Sequence, residues 1–403
     1  MWADTRPSKG IVTAQCGAPH ETRNLDIEVL RAFAIGGVIL HHLSDTLLAR
    51  QHGSLNWLMQ HVDYWTGVDL FFAISGYVIA RGTLAALWAR NDWSGFVTEA
   101  GAFWIRRAFR LLPSSWFWLA MLLLASRFFN ELRIGTVPVF GEPVTNIRAT
   151  LAAVGFYANV FEAWAFSHGK FAGSFAWWSL SMEEQFYFVL PIVAFVLRKR
   201  LAIVLFFFAL ATIGLHFSPL GMMFRTEAIA LGVLLALWEM HPSWARSGDF
   251  LHRMNGKMRF ALICLLLLAL GVVGTLGPFT YRVAYAALLS AALVFIAAQN
   301  NGYFLPPGFA GKVALWMGAR SYGFYLIHVP AFLGAKELCF RLTGDLYESF
   351  VAPVGLIAML IFVELNWRLL ETPTRRYGAY LAPTFRNRRD HARQEFSYVP
   401  NHT

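Results

Sequence analysis

Residues 177–197 read WWSLSMEEQFYFVLPIVAFVL, an apolar run of helix length that holds two adjacent carboxylates, Glu183 and Glu184. A helix needs about 20 predominantly apolar residues to cross a bilayer, and this stretch supplies them. A carboxylate at the bilayer centre costs roughly 2.5–3.5 kcal/mol on insertion scales. A membrane chain that keeps two either uses them or holds them at an edge that water reaches. Outward from this stretch, apolar runs recur at 35–40, 111–125, 201–210, 262–273, 284–298 and 356–363. The 403 residues are 57% hydrophobic and 14% charged, where a soluble domain carries about 25% charge. Mean hydropathy is +0.48. The sequence therefore predicts an all-α, polytopic membrane helical bundle rather than a large soluble one.

A net charge of +10 also fits a nucleic-acid binder. The distribution of the charge argues against that and for the positive-inside rule. Basic residues gather in short polar segments: Arg106, Arg107 and Arg110; Arg198, Lys199 and Arg200; Arg246, Arg253, Lys257 and Arg259; Arg375, Arg376, Arg386, Arg388 and Arg389. These are predicted cytoplasmic loops and tails. No nucleic-acid partner is expected. Cys16, Cys264 and Cys339 make neither a metal pattern nor an evident pair, and no metal is expected. The first 24 residues are polar, which predicts a tail without a cleavable signal.

Threading the basic clusters gives about ten crossings with both termini cytoplasmic. The spans are 27–47, 64–81, 103–125, 175–197, 201–217, 222–238, 260–276, 279–298, 313–336 and 350–370. Segment 147–166 is only moderately apolar and holds Arg148, Asn159 and Glu162. If it crossed fully, the basic residues 198–200 would land outside, so it is predicted to dip in or lie along the outer surface. The domain division is a cytoplasmic tail 1–24, a transmembrane domain 25–372 and a basic cytoplasmic tail 373–403.

This topology polarises the intramembrane polar residues. His41, His42, Asp69, Glu183, Glu184, Arg225, Glu227 and His328 fall toward the outer side. Arg31, Arg106, Arg107, Arg110 and Arg320 fall toward the cytoplasm. Imidazoles and carboxylates are the usual proton-handling groups. Guanidiniums suit phosphates, because their planar fork binds two oxygens at once. The arrangement suggests vectorial transfer: a phosphate-bearing donor docks inside, and its reactive end meets an acceptor hydroxyl at an outer His/carboxylate centre.

The residues also match a family by motif. NLDIEVLRAFAIGGVILHH (24–42), GVDLFFAISGYVIA (67–80), FWIRRAFRLLP (103–113), WWSLSMEEQFYFVLP (177–191), SYGFYLIHVP (321–330) and RLLETP (368–373) occur in order. The chain resembles the membrane acyltransferase-3 family, which O-acylates carbohydrates at the bacterial envelope. Each string alone is weak, but six in order over nearly the whole chain are specific. Ala73, Tyr77 and Met182 are mild departures that remove no polar group. The resemblance implies acyl-CoA, by default acetyl-CoA, as the donor, and an extracytoplasmic carbohydrate or glycoconjugate as the acceptor. It also implies the bacterial inner membrane as the location. By position it makes His42 the catalytic base, places Asp69 and Glu183 on family motif positions, and makes Arg31, Arg106, Arg107 and Arg110 donor-binding or structural arginines. No extracytoplasmic hydrolase-like domain is expected after the last span.

Each role has a plainer rival. His42 could be a satisfied packing histidine. The arginines could anchor topology at the membrane face, and Asp69 could pair within the bundle with Arg31 or a histidine. Helical spacing puts Arg106 and Arg110 on one face, with Arg107 pointing away. Neighbouring helical residues point about 100° apart, so only one of Glu183 and Glu184 shares a site with His42; Glu183 is the one expected to do so. Two other function classes remain: a secondary transporter with a proton-coupled His/carboxylate site, and a scaffold for other envelope enzymes.

Overall fold

A computed structural model describes residues 24–47, 60–212, 218–277, 279–344 and 348–397. The predicted tail before Asn24, with Cys16, lies outside them, as does the 213–217 end of one predicted span. The main helices are α1 (Leu25–Leu47), α2 (Gly67–Trp88), α3 (Trp93–Phe128), α4 (Pro143–Val154), α5 (Ala158–Ser167), α6 (Trp177–Leu197) and α7 (Leu201–Thr212). They continue with α8 (Glu227–Glu239), α9 (Gly256–Val273), α10 (Phe279–Ala298), α11 (Gly308–Ala319), α12 (Ser321–Thr343), α13 (Glu348–Asn366) and α14 (Thr372–Ser397). A two-stranded hairpin, Arg133–Ile134 with Val137–Pro138, interrupts the helices.

Local sequence explains the helix ends. Asn24 Oδ1 accepts the Ile27 N–H at 3.0 Å, and Asp26 and Glu28 stand in the first turn of α1, where the helix dipole favours negative charge. Asp92 caps α3 by accepting the Gly95 N–H at 3.4 Å. Arg198 ends α6 with a positive φ of 46°.

Among the described residues, five helices are long and apolar enough to cross a membrane, or six if the pair Glu227–Glu239 and Trp244–Arg253, bent by 110°, forms one span. The chain is thus a helical membrane bundle. Helices α1, α6 and α12 carry the polar residues of the site, which lowers their hydropathy. Several predicted bounds shift. Helix α3 starts at Trp93, ahead of its basic cluster. The predicted span 313–336 is two helices that meet at Arg320, whose guanidinium pairs with Glu364 at 2.8 Å between the rings of Trp316 and Trp367. Segment 147–166 is also broken, at the Gly155–Tyr157 turn, where Phe156 has φ 61°. At 1.5 Å per residue, α4 and α5 reach about 18 and 15 Å, short of a hydrocarbon core about 30 Å thick. Beyond Asn366 the chain passes through one π-helical turn, Trp367–Glu371, into α14, which packs along α3. Arg386 holds Glu99 there at 2.6 Å, and Arg90 joins Glu99 and Asp390.

Two glycines set the position of the site. Helices α2 and α8 run parallel in direct backbone contact: a Cβ on Gly76 would overlap the Ile229 carbonyl, and one on Gly232 would overlap that of Ala73. The pair is tied at one end by Asp69 and Arg225, 3.5 Å apart. At the other end, the Tyr77 hydroxyl donates to Glu239 at 2.7 Å. Small residues at such crossings let membrane helices approach closely.

Candidate active site

Several of the polar residues named from sequence line two cavities, set apart along the axis of α1. Arg31 and His42 both lie on α1, eleven residues and therefore about 16 Å apart along its axis.

The first cavity, about 80 Å³, is lined by Arg31, Arg107, Arg110, Ser75, Glu183 and Tyr187, with Tyr322 and Tyr325 completing its walls. Glu183 is anchored there by two donors: Ser75 Oγ to Oε1 at 2.8 Å and the Tyr187 hydroxyl to Oε2 at 2.6 Å. Arg31 pairs with Glu28 at 2.8 Å. The Arg107 guanidinium lies 5.7 Å from the Phe103 ring centre and 5.3 Å from that of Tyr187.

The second cavity, about 210 Å³, is lined by His41, His42, Trp65, Trp178, Met223 and Arg225. The His42 ring centre lies 4.7 Å from His41, 5.1 Å from His328 and 5.3 Å from Phe175. His41 Nδ1 meets Asp63 Oδ1 at 2.7 Å. Asp63 also accepts the Trp65 N–H and so starts the helical turn that leads into α2. His328 is fully buried, and its Nδ1 lies 3.1 Å from the Phe324 carbonyl. A carbonyl only accepts, so Nδ1 carries a proton there, while Nε2 finds no hydrogen-bond partner among the described residues. Arg225 is 5% exposed, and its guanidinium lies 4.7 and 4.8 Å from the ring centres of Trp65 and Trp178.

Val68 and Tyr325 line both cavities. The Tyr325 hydroxyl shares a 2.6 Å hydrogen bond with Ser179 and reaches the Ala176 carbonyl at 3.2 Å. Helix α6 therefore presents Ser179, Glu183 and Tyr187, spaced four apart, as a polar stripe along the first cavity.

This geometry rearranges several sequence expectations. Arg107, not Arg106, joins Arg110 in the cavity, because the i, i+3 pair faces α1 while Arg106 is exposed. Glu183 lines the arginine cavity, whereas the second cavity is the one His42 lines. Glu184 is buried among the helices. Asp69 pairs with Arg225. His41 shares the cavity of His42. Asp63 and Tyr325 were not singled out from sequence; the Tyr325 partner, Ser179, lies 146 residues away. Arg225 did carry a local signal, a guanidinium opening an apolar run. Among the described residues, no three His, Cys, Asp or Glu side chains are grouped to hold a metal ion.

A family model described as an acyltransferase domain (Acyl_transf_3) matches residues 24–364. The chain belongs to this acyltransferase family. It is 26% identical over 383 residues to the peptidoglycan O-acetyltransferase OatA of Listeria monocytogenes, covering 87% of this chain and 56% of that protein. A Staphylococcus aureus (strain COL) protein with a provisional O-acetyltransferase name is 27% identical, with 87% and 57% covered. Bacillus subtilis YrhL, provisionally named a peptidoglycan O-acetyltransferase, is 27% identical, with 87% and 55% covered. The chain thus spans a little over half the length of these relatives. No solved structure matches it. Its two cavities are the candidate site for the chemistry of this family.

Proposed function

We propose that the chain is a transmembrane O-acyltransferase. It moves an acyl group, by default acetyl, from cytoplasmic acyl-CoA to a hydroxyl of an extracytoplasmic carbohydrate or glycoconjugate. The observation that carries this reading is the shared wall: an arginine-lined cavity and a histidine-lined cavity meet at Val68 and Tyr325. In this reading Arg31, Arg107 and Arg110 hold donor phosphate oxygens through their planar forks. The thioester end reaches past Tyr325 to His42. The imidazole takes the acceptor hydroxyl proton as the oxygen attacks the acyl carbon, then returns it to the departing thiolate. Glu183 fixes Tyr187 and Ser75 and balances the arginine charge. Asp69 positions Arg225 beside His42.

The reading includes an orientation. The arginine end faces the cytoplasm, both termini are cytoplasmic, and the membrane is the bacterial inner one. Some ten segments cross it, with α4 and α5 forming a re-entrant pair on the outer side. Residues 25–372 form the catalytic domain between two cytoplasmic tails. The O-acetyltransferase names of the relatives support the acyl group and the sugar class of acceptor.

The test is mass spectrometry of envelope glycans from cells with and without the protein, beginning with peptidoglycan fragments. Purified protein in liposomes, loaded with labelled acetyl-CoA on one side, then assigns the donor. A new acyl mass on a sugar, with label crossing as an ester, supports the proposal. Movement of an unmodified solute without esterification would instead mark a transporter.

A further inference from the structure

Among the described residues, Arg225 is the one permanently cationic side chain lining the histidine cavity. Its setting is unusual for a purely structural arginine. The indoles of Trp65 and Trp178 lie near the guanidinium, which holds the group in a fixed plane. Asp69, itself 1% exposed, approaches Nη1 at 3.5 Å, longer than a close charge-assisted hydrogen bond. Nε finds no hydrogen-bond partner among the described residues. A buried guanidinium with an unused N–H is costly unless something accepts from it. The interlocked glycines of α2 and α8 hold this unit on the backbone scaffold that also carries Asp69.

We propose that Arg225 stabilises the oxyanion of the acyl-transfer step at His42, with Asp69 as its positioning residue; this rests on the transfer reading above. The acceptor oxygen bonds to the acyl carbon, its proton passes to the imidazole, and the carbonyl π pair moves onto oxygen. That oxyanion faces the Arg225 edge. Its collapse restores the carbonyl, breaks the carbon–sulfur bond and sends the thiolate out to recover the proton. The Asp69 partner explains why the site suits a transient charge better than a standing one. The resting Asp69–Arg225 pair is neutral overall. A carboxylate-bearing acceptor bound there would leave two anions on one guanidinium. An oxyanion that exists only during transfer meets a donor already in place, which is the condition for large electrostatic acceleration.

The test uses full-length protein in liposomes with acetyl-CoA and soluble peptidoglycan fragments, read as free CoA thiol and as acylated glycan. Arg225→Gln is expected to lower kcat about 100-fold, as loss of an oxyanion donor does elsewhere, with both KM values within about threefold. Arg225→Lys keeps the charge but not the fork and is expected to fall about tenfold. Melting temperatures show whether each variant is folded. If Arg225→Gln gives no folded protein, Arg225→Lys decides alone: a tenfold loss of kcat at unaltered KM supports the role, and an unaltered kcat overturns it. A raised acceptor KM with kcat retained also overturns it, in favour of acceptor binding. Wild-type protein that releases no thiol sinks the transfer reading and this role together. Active wild-type protein with equally active Arg225 variants sinks this role alone.

Discussion

Tyr325 and Ser179 share a 2.6 Å hydrogen bond at the wall common to the arginine-lined and histidine-lined cavities. The bond fixes where the phenol stands, and with it part of the wall between the two chambers. Tyr325→Phe keeps the ring and removes the hydroxyl. It is expected to cost about 1 kcal/mol of stability, the usual net worth of one hydrogen bond. Turnover should fall by more than that loss explains. If the bond is the cause, Ser179→Ala should reproduce the effect, and the double variant should be little worse than either single one. Transfer rates for all four proteins close that cycle.

The basic cluster on α3 offers a sharp contrast. Arg107 and Arg110 line the cavity, and Arg106 is exposed. Arg107→Ala with Arg110→Ala should weaken acetyl-CoA binding at least tenfold, since hydrogen bonds to charged groups contribute about 1.5–3 kcal/mol each. Arg106→Ala should leave binding within about twofold, as a surface charge does. Equilibrium binding of labelled acetyl-CoA to purified protein measures both. Equal effects from Arg106 and Arg107 would remove the assignment of the cavity to the donor.

Glu183 accepts from Ser75 and Tyr187 at once. In Glu183→Gln one of those donors faces an amide N–H instead of an acceptor. A buried donor left without a partner costs about 1–3 kcal/mol, so this variant should melt earlier as well as turn over more slowly. Tyr187→Phe, which withdraws one donor, should partly restore the melting temperature of Glu183→Gln.

Gly76 meets the backbone of α8 directly. Gly76→Ala forces the two helices apart and should destabilise by about 1–3 kcal/mol, the range for overpacking. The Asp69–Arg225 pair bridges the same two helices, so activity should fall with the melting temperature. Gly82→Ala, where nothing lies within 4 Å of an added Cβ, is the matched control and should change neither.

His42 stands among imidazoles and a phenyl ring. His42→Gln keeps polarity and approximate volume but cannot cycle a proton. It should abolish transfer while leaving acetyl-CoA binding intact, which the binding assay separates from turnover. His41→Gln, which loses the Asp63 contact, should slow turnover less severely.

Much of this site was legible in the chain, because its motifs sit on long helices whose order and depth follow from hydropathy and charge. Arg31 and His42 on α1 belong to different cavities, as their spacing along one helix required. Helix phase was not legible. Whether Arg106 or Arg107 faces inward depends on how α3 is rotated against α1 and α14, and no local pattern encodes that rotation. Glu183 was misaimed for the same reason, since its direction follows from Ser75, more than a hundred residues away. Tyr325 was invisible because its partner Ser179 is 146 residues away, and Asp63 because its partner His41 stands on another helix. The break at Arg320 escaped notice because apolar residues continue on both sides; a half-buried pairing with Glu364, not a proline, marks it.

The partition at Val68 and Tyr325 has a consequence for the cell's energetics. Two water-sized chambers in one membrane protein, merged into one, would let protons run down the gradient that powers the cell. On the proposed transfer reading, a partition that includes Val68 and the tethered Tyr325 would pass a small acyl group and hold back a file of water. The residues that set the hand-over would then also keep the membrane electrically tight.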